Sequence, residues 1–328
     1  MALFDPSLST LTSPNSTPKT ILITGGSSGI GLATATLLST LNPSHNLVLV
    51  DLRPPPPTFT HSPSHLLVHT CDITSWPAQR AAFAAAHAKF SRIDAVFVNA
   101  GIAEHADQFF TSALDADGNL CEPDHRVLTL DLNAAASTTK LAIHYLRKNG
   151  GGSSGGGGGG EFAGSIVLTA SLAGYLGSAG APLYSAAKHG LVGLVRALKQ
   201  ECAKLRIAIS LVAPGITVTP ILAQGRPELR DLPYEEHARE MAKAGVPINS
   251  PDAVARAVCG LIGEGMAANG KGVWVQADRF ADVERGLIKS REAWMGKEML
   301  GLFKGGRGTA VFARLEEEKK DDKVKAKI

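Results

Sequence analysis

"ILITGGSSGIGLATATLLSTL", residues 21–41, runs from an apolar stretch through a cluster of glycines into a run with helical spacing. The first part is β-branched and continuous, as a strand covered on both faces is. It ends at Thr24. Gly25, Gly26, Gly29 and Gly31 follow, and the helix begins near Gly29. Glycines at such a junction allow a tight turn and close approach of backbone to a pyrophosphate. The helix N-terminus adds free N–H groups and the positive end of a dipole. Ser27 and Ser28 supply further donors, and Ile30 lies in the first helical turn. An ordinary glycine turn has the same composition. What favours a phosphate cradle is the position, at the first strand–helix junction of the chain.

Outward from this stretch, short apolar runs alternate with helical patterns. The strand candidates are 20–24, 46–52, 66–72, 94–100, 165–171, 208–214 and 272–277. Continuous apolar strands alternating with helices predict an α/β fold: a doubly wound parallel sheet (Rossmann fold) of about seven strands with helices on both faces. The Ser/Thr/Pro-rich residues 1–18 read as a flexible N-terminal arm. Residues 19–290 read as a single dinucleotide-binding catalytic domain, and 291–328 as a C-terminal extension with a charged tail. The glycine run 150–160 interrupts the alternation, which resumes in step beyond it. It therefore reads as an inserted surface loop and not as an interdomain linker.

The 328 residues include 44% hydrophobic and 19% charged side chains, with a formal net charge of +3. No basic stripe interleaved with aromatics is present, so no nucleic-acid partner is expected. No apolar run approaches the roughly 18 residues of a membrane span. The N-terminus lacks the basic and apolar regions of a secretory signal. Cys71, Cys121, Cys202 and Cys259 are widely separated, which argues for free thiols in a reducing compartment and against a metal site.

The carboxyl ends of the strands carry the remaining signals. Asp51 ends the second strand, 20 residues after Gly31, where a carboxylate accepts from adenosine ribose hydroxyls and repels a 2′-phosphate. That favours NAD over NADP, with neighbouring Arg53 softening the preference. Asp72 and Ile73 follow the third strand, on the adenine side. Asn99, Ala100 and Gly101 end the fourth, Ser171 the fifth, and Pro214 and Gly215 the sixth. Tyr184 and Lys188 stand four apart on the helix after Ser171, hence on one helix face. Asn133 lies inside the long helix before the glycine run.

These residues together resemble the short-chain dehydrogenases/reductases. The resemblance rests on Thr24-Gly25-x-x-x-Gly29-x-Gly31, Asn99-Ala100-Gly101, Asn133, Ser171, Tyr184-x-x-x-Lys188 and Pro214-Gly215, and extends from about residue 19 to 280. Within the family, the stretch 171–198 is most similar to NAD-dependent 15-hydroxyprostaglandin dehydrogenases. The resemblance implies a catalytic set of Asn133, Ser171, Tyr184 and Lys188. A free phenol ionises near pH 10, and the ammonium of Lys188 favours the phenolate, so Tyr184 is the general base. Lys188 also holds the nicotinamide ribose, Ser171 binds the substrate oxygen, and Asn133 anchors a proton-relay water. Thr217 and Thr219 meet the carboxamide.

Residues 217–247 are the expected substrate lid. Pro220, Ile221, Leu222, Leu232 and Met241, with Tyr175, Ala181 and Leu183 opposite, suggest a hydrophobic secondary alcohol or ketone as substrate. Two other readings stay open: an NADPH-dependent ketoreductase of a biosynthetic pathway, and a non-catalytic dinucleotide-binding regulatory protein. The family pairs its long helices, which implies a homodimer or homotetramer. A cytoplasmic location is expected. The ending Ala326-Lys327-Ile328 is similar to a peroxisomal address and keeps the peroxisomal matrix as the alternative.

Overall fold

The computed structural model describes residues 2–12, 16–150, 161–223 and 234–306. The glycine run 151–160, residues 224–233 of the expected lid with Leu232, and the tail 307–328 with Ala326-Lys327-Ile328 lie outside the described residues. The chain falls into two compact units, 1–283 and 284–328.

The strands are β1 (Ala2–Leu3), β2 (Thr20–Thr24), β3 (Asn46–Asp51), β4 (Leu66–Thr70), β5 (Ala95–Val98), β6 (Gly164–Thr169), β7 (Ile207–Pro214), β8 (Gly272–Gln276) and β9 (Arg279–Asp282). They form one sheet in the order β1-β9-β8-β7-β6-β5-β2-β3-β4. The seven strands β2 to β8 pair in parallel. The order reverses at β2, the first parallel strand, which has β3 on one side and β5 on the other. Such a reversal opens a crevice at the carboxyl edge.

Helices cover both faces, as the continuous apolar strands require. They are α1 (Gly29–Leu41), α2 (Trp76–Phe90), α3 (Arg126–Leu128), α4 (Ala135–Leu146), α5 (Pro182–Lys204), α6 (Tyr234–Lys243) and α7 (Pro251–Gly263). Alternate residues of each strand feed opposite cores. Leu22, Val48, Val96, Ile166 and Ile209 pack with α2, α4 and α5. Ile21, Ile23, Leu47, Phe97 and Val273 pack with α1 and α7. A π-helical turn, Thr129–Ala134, joins α3 to α4. The last helices are α8 (Val283–Lys289), which begins at the final residue of the first unit, and α9 (Arg291–Met295) and α10 (Lys297–Gly306) of the second.

Two strands, β9 and β1, exceed the sequence expectation. β8 and β9 form a hairpin around Ala277 and Asp278, with φ of 48° and 57°. Both central residues are left-handed, as tight hairpins require, but without the Asn-Gly or Asp-Gly pair that advertises one. The expected flexible arm is also docked where it is described. β1 pairs antiparallel with β9, Phe4 and Leu11 are buried, and Thr10 Oγ1 donates to the carbonyl of Gly263 at the end of α7. Two apolar side chains, a short strand pairing and the Thr10 hydrogen bond seat it.

Candidate active site

The glycine turn is built so that side chains would obstruct it. Gly25 has φ +66°, and a Cβ on it would come within 2.9 Å of Ala100 Cα. A Cβ on Gly31 would collide with the carbonyl oxygen of Gly25. Asn99 braces the turn: its Nδ2 donates to the carbonyls of Thr24 at 3.1 Å and Gly25 at 3.3 Å. Its Oδ1 accepts from Thr169 Oγ1 at 3.1 Å, and the backbone N–H groups of Asn99 and Ala100 donate to Thr24 Oγ1. Three adjacent strand ends are thereby locked together. From the far side, Thr219 stands over Gly29, 3.2 Å from where a Cβ would be. Thr217 and Thr219 are buried and direct their hydroxyls at the carbonyls of Gly215 and Thr217.

The turn suits a phosphate-bearing dinucleotide. Ser27 Oγ is buried and has no hydrogen-bond partner among the described residues. Such an atom is costly to leave unpaired, and a phosphate oxygen would accept from it beside the α1 N-terminus, where Ser28 is the N-cap. Asp51, at the end of β3, accepts from Ser27 N at 3.0 Å and Arg53 N at 3.4 Å. The carboxylate is thus held at the rim of the turn. Asp72 closes a local turn by accepting from Thr74 N and Oγ1 at 2.8 Å, and Ile73 is buried.

The candidate reactive groups lie beside it. Ser171 follows β6 and caps a 3₁₀ turn, Leu172–Gly174; its Oγ accepts from Ala173 N at 3.2 Å and donates to Pro214 O at 3.4 Å. That turn rests on α5, and a Cβ on Gly174 would come within 2.7 Å of the Lys188 carbonyl oxygen. Lys188 is buried beneath half-buried Tyr184, with Nζ 5.3 Å from the ring centroid. Its ammonium donates to Thr169 O at 3.1 Å and lies 3.0 Å from Asp131 Oδ2.

A family model for the short chain dehydrogenases matches residues 19–230, most of the chain and all of this machinery. The chain belongs to the short-chain dehydrogenase family. The short-chain dehydrogenase/reductase prx4 of Penicillium roqueforti is 30% identical over 311 residues, covering 90% of this chain and 85% of that one. The short-chain dehydrogenase/reductase ascJ of Acremonium egyptiacum is 33% identical over 272 residues, covering 82% of each. Among solved structures, levodione reductase superposes with a TM-score of 0.62 at 25% identity, covering 79% of this chain and 96% of that one.

In this short-chain dehydrogenase one expected residue is displaced. Asn133 is exposed, on the π turn. The residue that meets Lys188 is Asp131, two positions earlier. Residues two apart lie on roughly opposite sides of a helix, so both cannot face the same neighbour. Leu132 packs on Gly190 of α5, where a Cβ would come within 2.8 Å of its Cδ1. Asp131 then faces Lys188, and Asn133 faces away. The residue type favoured Asn133; the signal for Asp131 was an acid in an otherwise apolar helical stretch. Burial alone would lower the Lys188 pKa, but the Asp131 carboxylate, with the phenol oxygen of Tyr184, pushes it above the ordinary lysine value. Among the described residues, no group of three or more His, Cys, Asp or Glu is placed to hold a metal ion.

Proposed function

We propose that the protein transfers hydride between NAD and a hydrophobic secondary alcohol or ketone, with Tyr184 as the general acid and base. The observation that carries this reading is the buried Lys188 ammonium, fixed by Thr169 O and Asp131 directly below Tyr184, at the strand edge that also holds the glycine turn. A nicotinamide dinucleotide, when bound, supplies the hydride chemistry. Tyr184 takes the hydroxyl proton of an alcohol or returns it to a ketone. Lys188 favours the phenolate electrostatically. Ser171 directs Oγ at the substrate oxygen in exchange for its long bond to Pro214 O.

The Asp51 carboxylate supports NAD, because it would repel a 2′-phosphate. Exposed Arg53 beside it supports the NADPH-dependent reading as the second choice. Tyr175, packed edge-on against Trp274 at 5.6 Å, and buried Leu183 supply apolar surface near the N-terminus of α5. That surface suits an apolar substrate. Among the described residues no helix is long and apolar enough to cross a membrane. We read the enzyme as cytosolic and as a homodimer or homotetramer. A groove of about 1030 Å³, lined by Trp76, Tyr145, Leu194 and Leu198, lies on the α2, α4 and α5 face that a second copy would cover.

The test is a panel of secondary alcohols with NAD⁺ or NADP⁺, followed by the absorbance of the reduced nicotinamide. Tyr184→Phe should lose at least about a hundredfold in turnover while still binding dinucleotide. Near-wild-type turnover in that variant refutes the assignment.

A further inference from the structure

We propose that Asp131 is a positioning residue of the reaction centre, a buried counter-carboxylate that keeps Lys188 charged and fixed beneath Tyr184. The inference rests on the reading of Tyr184 and Lys188 given above. Asp131 contributes 0% and Lys188 4% of their side-chain surfaces to solvent, with Oδ2 and Nζ 3.0 Å apart. Oδ1 accepts from Ile102 N at 2.9 Å, so the carboxylate is anchored to the loop after β5. Oδ2 is buried, makes the ion pair with the ammonium, and has no hydrogen bond among the described residues. Gly101 makes room: a Cβ there would come within 3.0 Å of Oδ2. One carboxylate thus ties the β5 loop, the π turn and α5 to one point.

The chemistry requires more than a hydrogen-bond acceptor at this point. A lysine with no water contact tends to lose its proton, because burial penalises the charged form. Thr169 O is neutral and cannot offset that cost fully. The charged and titratable groups facing the site are Asp131 from the π turn, Tyr184 on α5 itself, and Glu104 from the β5 loop, which accepts from the backbone of Tyr184. Of these, Asp131 is the group in contact with the ammonium. An asparagine there would preserve the shape and remove the charge. The π turn delivers the carboxylate by widening the helix where a regular turn would continue.

Asp131→Asn separates the two roles. The expected result is a new alkaline limb in kcat, starting at least about two pH units below any seen in the wild type, as an unpaired buried ammonium loses its proton. A pH profile identical to the wild type overturns the proposal, since a merely structural role would leave the profile unmoved. A second measurement needs neither turnover nor substrate. Thermal melting is compared for Lys188→Met, Asp131→Asn and the double variant. Lys188→Met strands a buried carboxylate and should melt several degrees below the double variant, which strands no charge. Equal melting of Lys188→Met and the double variant overturns the pairing, even if Asp131→Asn alone does not fold. If the melting coupling is present and no alcohol or ketone is turned over, the oxidoreductase reading fails and the ion pair stands.

Discussion

The backbone N–H of Tyr184 donates to Glu104 Oε2 at 2.8 Å, across 80 residues of sequence. The N-cap of α5 is Ala181, which has no side-chain acceptor, and Pro182 occupies the first turn. Glu104 therefore caps the helix from the loop after β5 and places a negative charge at its positive end. It also fixes the third residue of the helix, Tyr184 itself.

Replacing Glu104 with Ala is expected to cost about 1 kcal/mol of stability, the usual loss for a removed cap. Turnover should fall as the Tyr184 backbone loosens, because small misplacements of a reacting group reduce rate strongly. Glu104→Gln, which retains an acceptor, should keep more of both. Thermal melting and steady-state kinetics on the two variants check this; equal effects would show that the hydrogen bond is immaterial.

Asn133→Ala should leave turnover and its pH profile unchanged. The side chain is exposed on the π turn, and alanine favours helix. A tenfold loss in kcat would return Asn133 to the reaction centre and count against Asp131.

Asp51→Ala should weaken NAD and improve NADP⁺ binding. The loss has two sources: the ribose acceptor, and the bond from Ser27 N at 3.0 Å that holds the turn. Titration with both dinucleotides is decisive, and an unchanged ratio of affinities would place ribose recognition elsewhere.

The acid side of stability should depend on His45. This imidazole is buried, its Nδ1 accepts from Lys19 N at 3.0 Å, and its Nε2 bonds Leu11 O at 3.1 Å, an arrangement that suits the neutral ring. Burial, partly opposed by the bond to Leu11, pushes its pKa down to about 4. The unfolded chain takes up the proton first, near pH 6.5, so this contribution is present above 6.5 and is lost as pH falls toward 4. The loss is on the order of 3 kcal/mol. Melting between pH 7 and 4 should show a weaker slope in His45→Gln than in the wild type; parallel slopes would exclude His45 as the source.

What the sequence by itself determined is what depends on local pattern. The seven parallel strands were legible because each contains a short apolar run between helical patterns, and β2 was bounded at its carboxyl end by the glycines after Thr24. The glycine turn, Ser171, Tyr184 and Lys188 were legible because spacing along one strand end or one helix face decides their neighbourhood. The tertiary structure decided what depends on phase and on distant partners. Asp131 and Asn133 are both plausible by type, and the π turn, the packing of Leu132 on Gly190 and the hydrogen bond from Ile102 N set which one turns toward Lys188. Glu104 reaches Tyr184 through the fold and not through any motif. The arm docks because Phe4 and Leu11 find α7, more than 240 residues away, and burial of two side chains outweighs a composition that favours disorder. Sequence periodicity reports which face of an element is apolar; which polar side chain enters a buried site is settled by contacts between elements.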